Sequence, residues 1–161
     1  MKKKLLIFSL VILIIVAVLL LTGCSSKNET INTDNLKTDY LKSNNGTQIT
    51  FYIPNGFTET DFLNKSDSWK GYNNGTATVD LQIITKDSAD YIKDSLLKQN
   101  FKEETYNVNN RIYTKIFSVV DGKECSAIYQ YKINDETYYS VSDFRKTLTD
   151  EQINTFLTVK D

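Results

Sequence analysis

Histidine is absent from the 161 residues, proline and tryptophan occur once each, and cysteine occurs twice. Without imidazole the chain has no Ser-His-Asp or Cys-His nucleophile pair and no His-ligated metal. Two cysteines fall short of a four-cysteine zinc site and of a disulfide-dense scaffold. Charge of one sign is also missing, since 19 basic residues face 20 acidic ones. That balance carries no nucleic-acid footprint, so nucleic acid is not expected as a partner. Six glycines mostly mark turns, and none belongs to a phosphate-binding glycine loop. The length suits one domain.

What is present begins at the N-terminus. Lys2, Lys3 and Lys4 precede residues 5–21, which are apolar except for Ser9, and no acid appears before Glu29. A basic start followed by an apolar run is the pattern of an export signal, with the lysines held on the cytoplasmic side. Seventeen residues also reach the short end of a membrane-spanning helix, so an uncleaved anchor is the competing reading. The run ends in Leu21-Thr22-Gly23-Cys24, which resembles the lipobox of bacterial lipoproteins: an aliphatic residue, two small residues, then cysteine. The resemblance implies that residues 1–23 are a signal peptide recognised by signal peptidase II through Leu21, Thr22 and Gly23. It implies that Cys24 carries a diacylglycerol, or an N-acylated form of it, and no other cofactor. One acyl chain holds marginally at about 0.8 kcal/mol per buried methylene, whereas two or three hold stably. Loss of Lys2, Lys3 and Lys4 takes the net charge from -1 to about -4. That argues against attraction to anionic headgroups and leaves anchoring to the lipid.

Residues 24–44 are read as a lipidated cysteine and a flexible polar tether, with one helical turn from Leu36, Tyr40 and Leu41 at its edge. Residues 45–161 are read as one domain. The alternation of Ile49, Phe51 and Ile53 predicts a strand over 48–53, ended by Pro54-Asn55-Gly56. Residues 69–72 and 76–85 flank Asn73-Asn74-Gly75, which predicts a type I′ hairpin. Asp87 or Ser88 caps a helix to about Gln99, with Ala89, Ile92 and Leu96 on its apolar stripe. Strands over 111–120 and 123–133 flank Asp121-Gly122, another two-residue turn signal that sets Ser118 opposite Cys125. Both faces of that hairpin are partly apolar, which implies a covering layer on each. A strand over 137–144 follows, its register open by one residue. Thr149 and Gln152 make a capping box for a last helix striped by Ile153, Phe156 and Leu157, with Leu148 placed for a hydrophobic staple. The fold class is therefore α+β: a mainly antiparallel sheet of about five to six strands packed with two helices.

Tyr52-Ile53-Pro54-Asn55-Gly56-Phe57 and the βαβββα order after it resemble the PsbP-like domains of photosystem extrinsic subunits and small bacterial lipoproteins. The resemblance spans about residues 48–157. It implies an antiparallel sheet between helices and a binding or assembly role.

Chemistry is sparse. Cys125, the one thiol besides Cys24, is expected as a small buried hydrophobe without a base beside it. The carboxylate pairs Asp87/Asp90, Glu103/Glu104, Asp135/Glu136 and Asp150/Glu151 fall at expected helix starts and turns, where acids are solvated. No calcium-loop spacing occurs, and no metal site is expected. Ten tyrosines are the compositional excess. Packing explains most of them, and the functional reading is an exposed aromatic patch from Trp69, Tyr72, Tyr129, Tyr131, Tyr138 and Tyr139 that binds a protein or cell-wall partner. A composition rich in lysine, asparagine and isoleucine suits an AT-rich, Gram-positive genome, where the lipid would hold the domain on the outer face of the cytoplasmic membrane. The leading expectation is a non-enzymatic binding or assembly module. The alternatives are a lipoprotein that excludes phage or conjugating DNA, and an enzyme using carboxylates or a metal.

Overall fold

Period-two burial organises the chain into two antiparallel sheets. The computed structural model describes residues 30–60 and 66–160, so Leu21, Thr22, Gly23 and Cys24 lie outside the described residues. The smaller sheet has β1 (Lys37–Lys42), β2 (Gln48–Ile53) and β10 (Val159–Lys160) in the order β1-β2-β10. The larger contains β3 (Thr58–Glu59), β4 (Trp69–Asn73), β5 (Thr78–Thr85), β6 (Lys102–Val108), β7 (Arg111–Val120), β8 (Lys123–Lys132) and β9 (Thr137–Asp143), in the order β3-β4-β5-β9-β8-β7-β6. Helix α1 (Lys86–Lys98) follows β5, and α2 (Asp150–Leu157) precedes β10. The α+β class stands, with ten described strands in two sheets where one sheet of five to six was expected. Among the described residues no helix is long and apolar enough to cross a membrane.

The core lies between the sheets. Val79, Leu81 and Ile83 of β5 are buried on the same face as Tyr139 and Val141 of β9 and Tyr129 of β8. Leu41, Ile49, Phe51 and Ile53 of the smaller sheet enter the same core, as do Ile153, Phe156 and Leu157 of α2. Phe51 meets Tyr72 edge-on at 5.8 Å between ring centroids, and Phe57 meets Phe156 at 5.2 Å. Each such buried side chain contributes about 1.5–3 kcal/mol. Helix α1 packs on the other face of the larger sheet, where Ala89 is buried and its carbonyl accepts from Gln130 Nε2 at 3.5 Å. Both faces of the β7–β8 hairpin are thus covered in part, as its two-sided apolar pattern required.

Several expectations change. The domain begins at Lys37 rather than Asn45, because β1 pairs along its whole length with β2 and buries Leu41. The Leu36–Tyr40–Leu41 helical turn does not form. Strand β6 is an addition: residues 102–105 are all exposed, so no alternation announced it. The turn before β7 places Asn109 at φ 46 and Asn110 at φ 63, the two positive values a type I′ hairpin needs. The Asn73-Asn74-Gly75 turn is not of that type. Only Gly75 has positive φ, Asn73 pairs with Thr78, and Asn74 Oδ1 accepts from the Thr76 and Ala77 N–H groups. Thr85, not Asp87 or Ser88, caps α1, accepting from Ser88 N at 3.2 Å.

The β7–β8 register also differs. Asp121 and Gly122 have the expected positive φ, but a bulge between Ser118 and Val119 pairs Ser118 with Ser126. The faces therefore exchange beyond the bulge. Lys115 lines up with Tyr129, and Ile116 with Ile128. The capping box is present in both directions: Thr149 Oγ1 accepts from Gln152 N at 3.2 Å, and Thr149 N donates to Gln152 Oε1 at 3.0 Å.

Candidate functional site

The aromatic patch does not assemble as a surface. Tyr72, Tyr129 and Tyr139 are core residues at 1%, 1% and 0% exposure. Trp69, Tyr131 and Tyr138 are half-buried. Tyr131 accepts a hydrogen bond from Arg111 Nη1 at 2.9 Å, with the guanidinium 5.4 Å from its ring centroid. Tyr139 donates to the Phe156 carbonyl at 2.8 Å. Burial pushes the Tyr72, Tyr129 and Tyr139 phenols well above their ordinary range, so they remain protonated. Cys125 is exposed rather than buried, because the bulge that shifts the register leaves it without a cross-strand partner.

Two charged clusters organise the interior edges. Lys115 is 7% exposed and donates to Glu104 at 2.9 Å and Glu124 at 2.8 Å. The Phe117 ring lies 4.6 Å from its ammonium. Burial opposes the charge on Lys115, but Glu124 and Glu104 outweigh it and hold its pKa above the ordinary value. A lysine so held is a fixed cation rather than a nucleophile. At the other edge Asp39 of β1 accepts from Lys70 Nζ at 2.7 Å and from Tyr72 Oη at 2.5 Å. Burial raises the Asp39 pKa, but the hydrogen bonds from Lys70, Tyr72 and the Tyr40 N–H lower it further and win. This contact clamps β1 to the larger sheet.

The paired carboxylates do not converge. All eight acids of the four pairs are exposed. Asp90, Glu103 and Asp135 pair with lysines, at 2.5 Å to Lys86, 2.6 Å to Lys93 and 2.7 Å to Lys132. Among the described residues no group of three or more His, Cys, Asp or Glu is placed to hold a metal ion.

A cleft of about 500 Å³ lies where four segments meet. The β1–β2 turn contributes Ser43, Asn44 and Asn45, and Ser68 comes from the segment before β4. The β5–α1 junction contributes Ile83, Thr85 and Asp87, and the β8–β9 turn contributes Glu136 and Thr137. Backbone bonds tie these walls together: Lys42 N to Asp67 O at 2.7 Å, Ile83 N to Ser68 O at 2.8 Å, and Lys86 N to Glu136 O at 2.9 Å. Asn45 Nδ2 and Asn134 Nδ2 stitch the two turns, donating to Thr137 Oγ1 and Thr47 Oγ1, each at 3.4 Å. Ile83 and Thr137 are buried at the floor, while Asn45, Asp87 and Glu136 are exposed at the rim. Sequence reasoning missed this site. Each contributor carried only a turn or cap signal, and the convergence is tertiary.

A second cleft of about 530 Å³ lies beside the first described residues, among Ile31, Tyr52, Asn109, Arg111 and Lys160. There Asn109 Oδ1 accepts from Ile31 N at 3.3 Å, fixing the incoming chain to the β6–β7 turn.

No family model, no curated protein and no solved structure compared with this chain matches it.

Proposed function

We propose that this chain is a membrane-anchored extracytoplasmic lipoprotein whose single domain is a non-enzymatic binding module at the cell surface. The observation that carries the reading is Leu21-Thr22-Gly23-Cys24 set directly after a basic start and an apolar run. Among the described residues, the first interaction of the chain with the domain is at Ile31, seven residues after Cys24. Seven extended residues span at most about 25 Å, so the tether holds the domain close to the bilayer. The cleft between the β1–β2 turn, α1 and the β8–β9 turn is the contact site, because its walls are fixed by backbone bonds before anything binds.

The test is metabolic labelling with radioactive palmitate, read together with the mass of the mature chain. The native protein takes up label and is cut before Cys24, whereas Cys24→Ala remains unlabelled and uncut. A native chain that is neither labelled nor cut is a plain membrane anchor, and the lipoprotein reading falls. In-cell crosslinking of the labelled form then captures its partner, and Glu136→Ala reduces that capture if the cleft makes the contact.

A further inference from the structure

We infer that the 500 Å³ cleft binds a polyhydroxylated ligand, a short stretch of glycan, through hydroxyl, carboxamide and carboxylate groups over an aliphatic floor. This rests on the binding-module reading and names its ligand class. The volume falls within the range of small-ligand sites. The chemistry of the lining then narrows the class. Lys86 is committed to Asp90 at 2.5 Å. Asp87 and Glu136 have no side-chain ion pair or hydrogen bond among the described residues. Among the described residues, an anion entering the cleft would therefore meet Asp87, Asp135 and Glu136 against one lining lysine that is already paired. A bare metal ion needs converging acids, and none converge among the described residues. A flat heteroaromatic ligand needs a stacking partner, and among the described residues no aromatic ring lines the cleft. An extended peptide needs an open strand edge, but backbone groups of these walls are already bonded to one another.

A sugar meets each condition. Its hydroxyls both donate and accept, which matches carboxylate acceptors at Asp87 and Glu136 beside Ser, Thr and Asn groups that do both. Its C–H face rests on Ile84, the half-buried β5 residue that lines the cleft. The walls are joined by the three backbone bonds given above, so little ordering is lost on binding. The cleft lies on a domain that the proposed anchor holds against the outside of the membrane, where glycan is at hand.

The experiment uses the full chain in detergent and the fluorescence of Trp69, the sole tryptophan, which directly follows the lining residue Ser68. The probes are the tetramer of N-acetylglucosamine, maltotetraose, spermidine and inorganic phosphate. Saturable binding of either oligosaccharide is expected, weakened about tenfold or more by Asp87→Ala or Glu136→Ala. Asp94→Ala, on the same helix but outside the cleft, leaves it unchanged, which separates loss of contact from loss of fold. Binding of spermidine or phosphate without either sugar overturns the ligand class. No saturable binding of any probe, or sugar binding indifferent to both cleft variants, overturns the site. Palmitate label is read on the same preparation. Label without sugar binding leaves the anchor and refutes the cleft; sugar binding without label does the reverse.

Discussion

Replacing Asp80 with asparagine should stabilise the domain at neutral pH. Asp80 sits on β5 opposite Ser142 of β9 and Gly71 of β4. Its Oδ1 is buried and has no hydrogen-bond partner among the described residues. Burial raises the Asp80 pKa, and among the described residues no cation lowers it again. A folded pKa above the unfolded value of about 3.8 means that the unfolded chain gives up the proton first. The native state is then penalised at every pH above the folded value, and the penalty is gone below the unfolded one. Asparagine keeps the shape and removes the charge. Leaving a buried charged acceptor unmet costs roughly 1–3 kcal/mol, and Asp80 is only half-buried, so about 1 kcal/mol is the expected gain. For a domain of this size that raises Tm by about 3–5 °C. Urea unfolding of both proteins at pH 7 and at pH 3.5 reads the effect. The variant should lead at pH 7, and the lead should shrink at pH 3.5, where the wild-type carboxyl is protonated in the fold. A variant less stable at pH 7, or a lead that persists unchanged in acid, would refute the argument and give this carboxylate a favourable contact in the native state.

Asp39→Asn should act with the opposite sign, since Asp39 has a depressed folded pKa. Its hydrogen bonds to Lys70 and Tyr72 should contribute about 2 kcal/mol above the unfolded carboxylate pKa, and acid titration of stability should show that contribution vanish as pH falls through the lower folded value. Phe156→Ala removes a fully buried ring packed 5.2 Å from Phe57 and 5.7 Å from Tyr72, and denaturant midpoints should register a loss of about 3–5 kcal/mol. Thr149→Ala should cost about 1 kcal/mol. A double-mutant cycle with Gln152→Ala should return a coupling energy, because each side chain serves the other's backbone.

Local signals were legible wherever one residue type answers one geometric need. The 48–53 strand, the buried alternation of β5 and the capping box all follow from period or cap chemistry that no distant contact overrides. The Asn109-Asn110 turn belonged to the same class, since asparagine tolerates positive φ, and it would have exposed β6. Strand β6 itself hides because it is the edge of the larger sheet, and Lys102, Glu103 and Glu104 are the charged residues that keep such an edge from pairing. The bulge at Ser118/Val119 is a different matter. An Asp-Gly turn fixes only the first pairs, and one extra residue beyond it reverses every later face.

The tyrosines show why composition misdirects a search for a site. Helix α2 has eight residues and ends inside the core, so its last carbonyls are sealed from water. Tyr139 and Tyr113 reach up from the larger sheet and donate to the carbonyls of Phe156 and Leu157. Phenylalanine would fill the same space and leave those acceptors unmet, at about 1–3 kcal/mol each. Ten tyrosines against eight phenylalanines therefore reflect in part a core that must satisfy a buried helix end, not a surface that must hold a partner. The residues around the cleft carry the reverse lesson. Ser43, Asn45, Asp87 and Glu136 each look like ordinary turn or cap residues. They gain a shared face only because strand β1 joins the domain and the β8–β9 turn folds back to meet it.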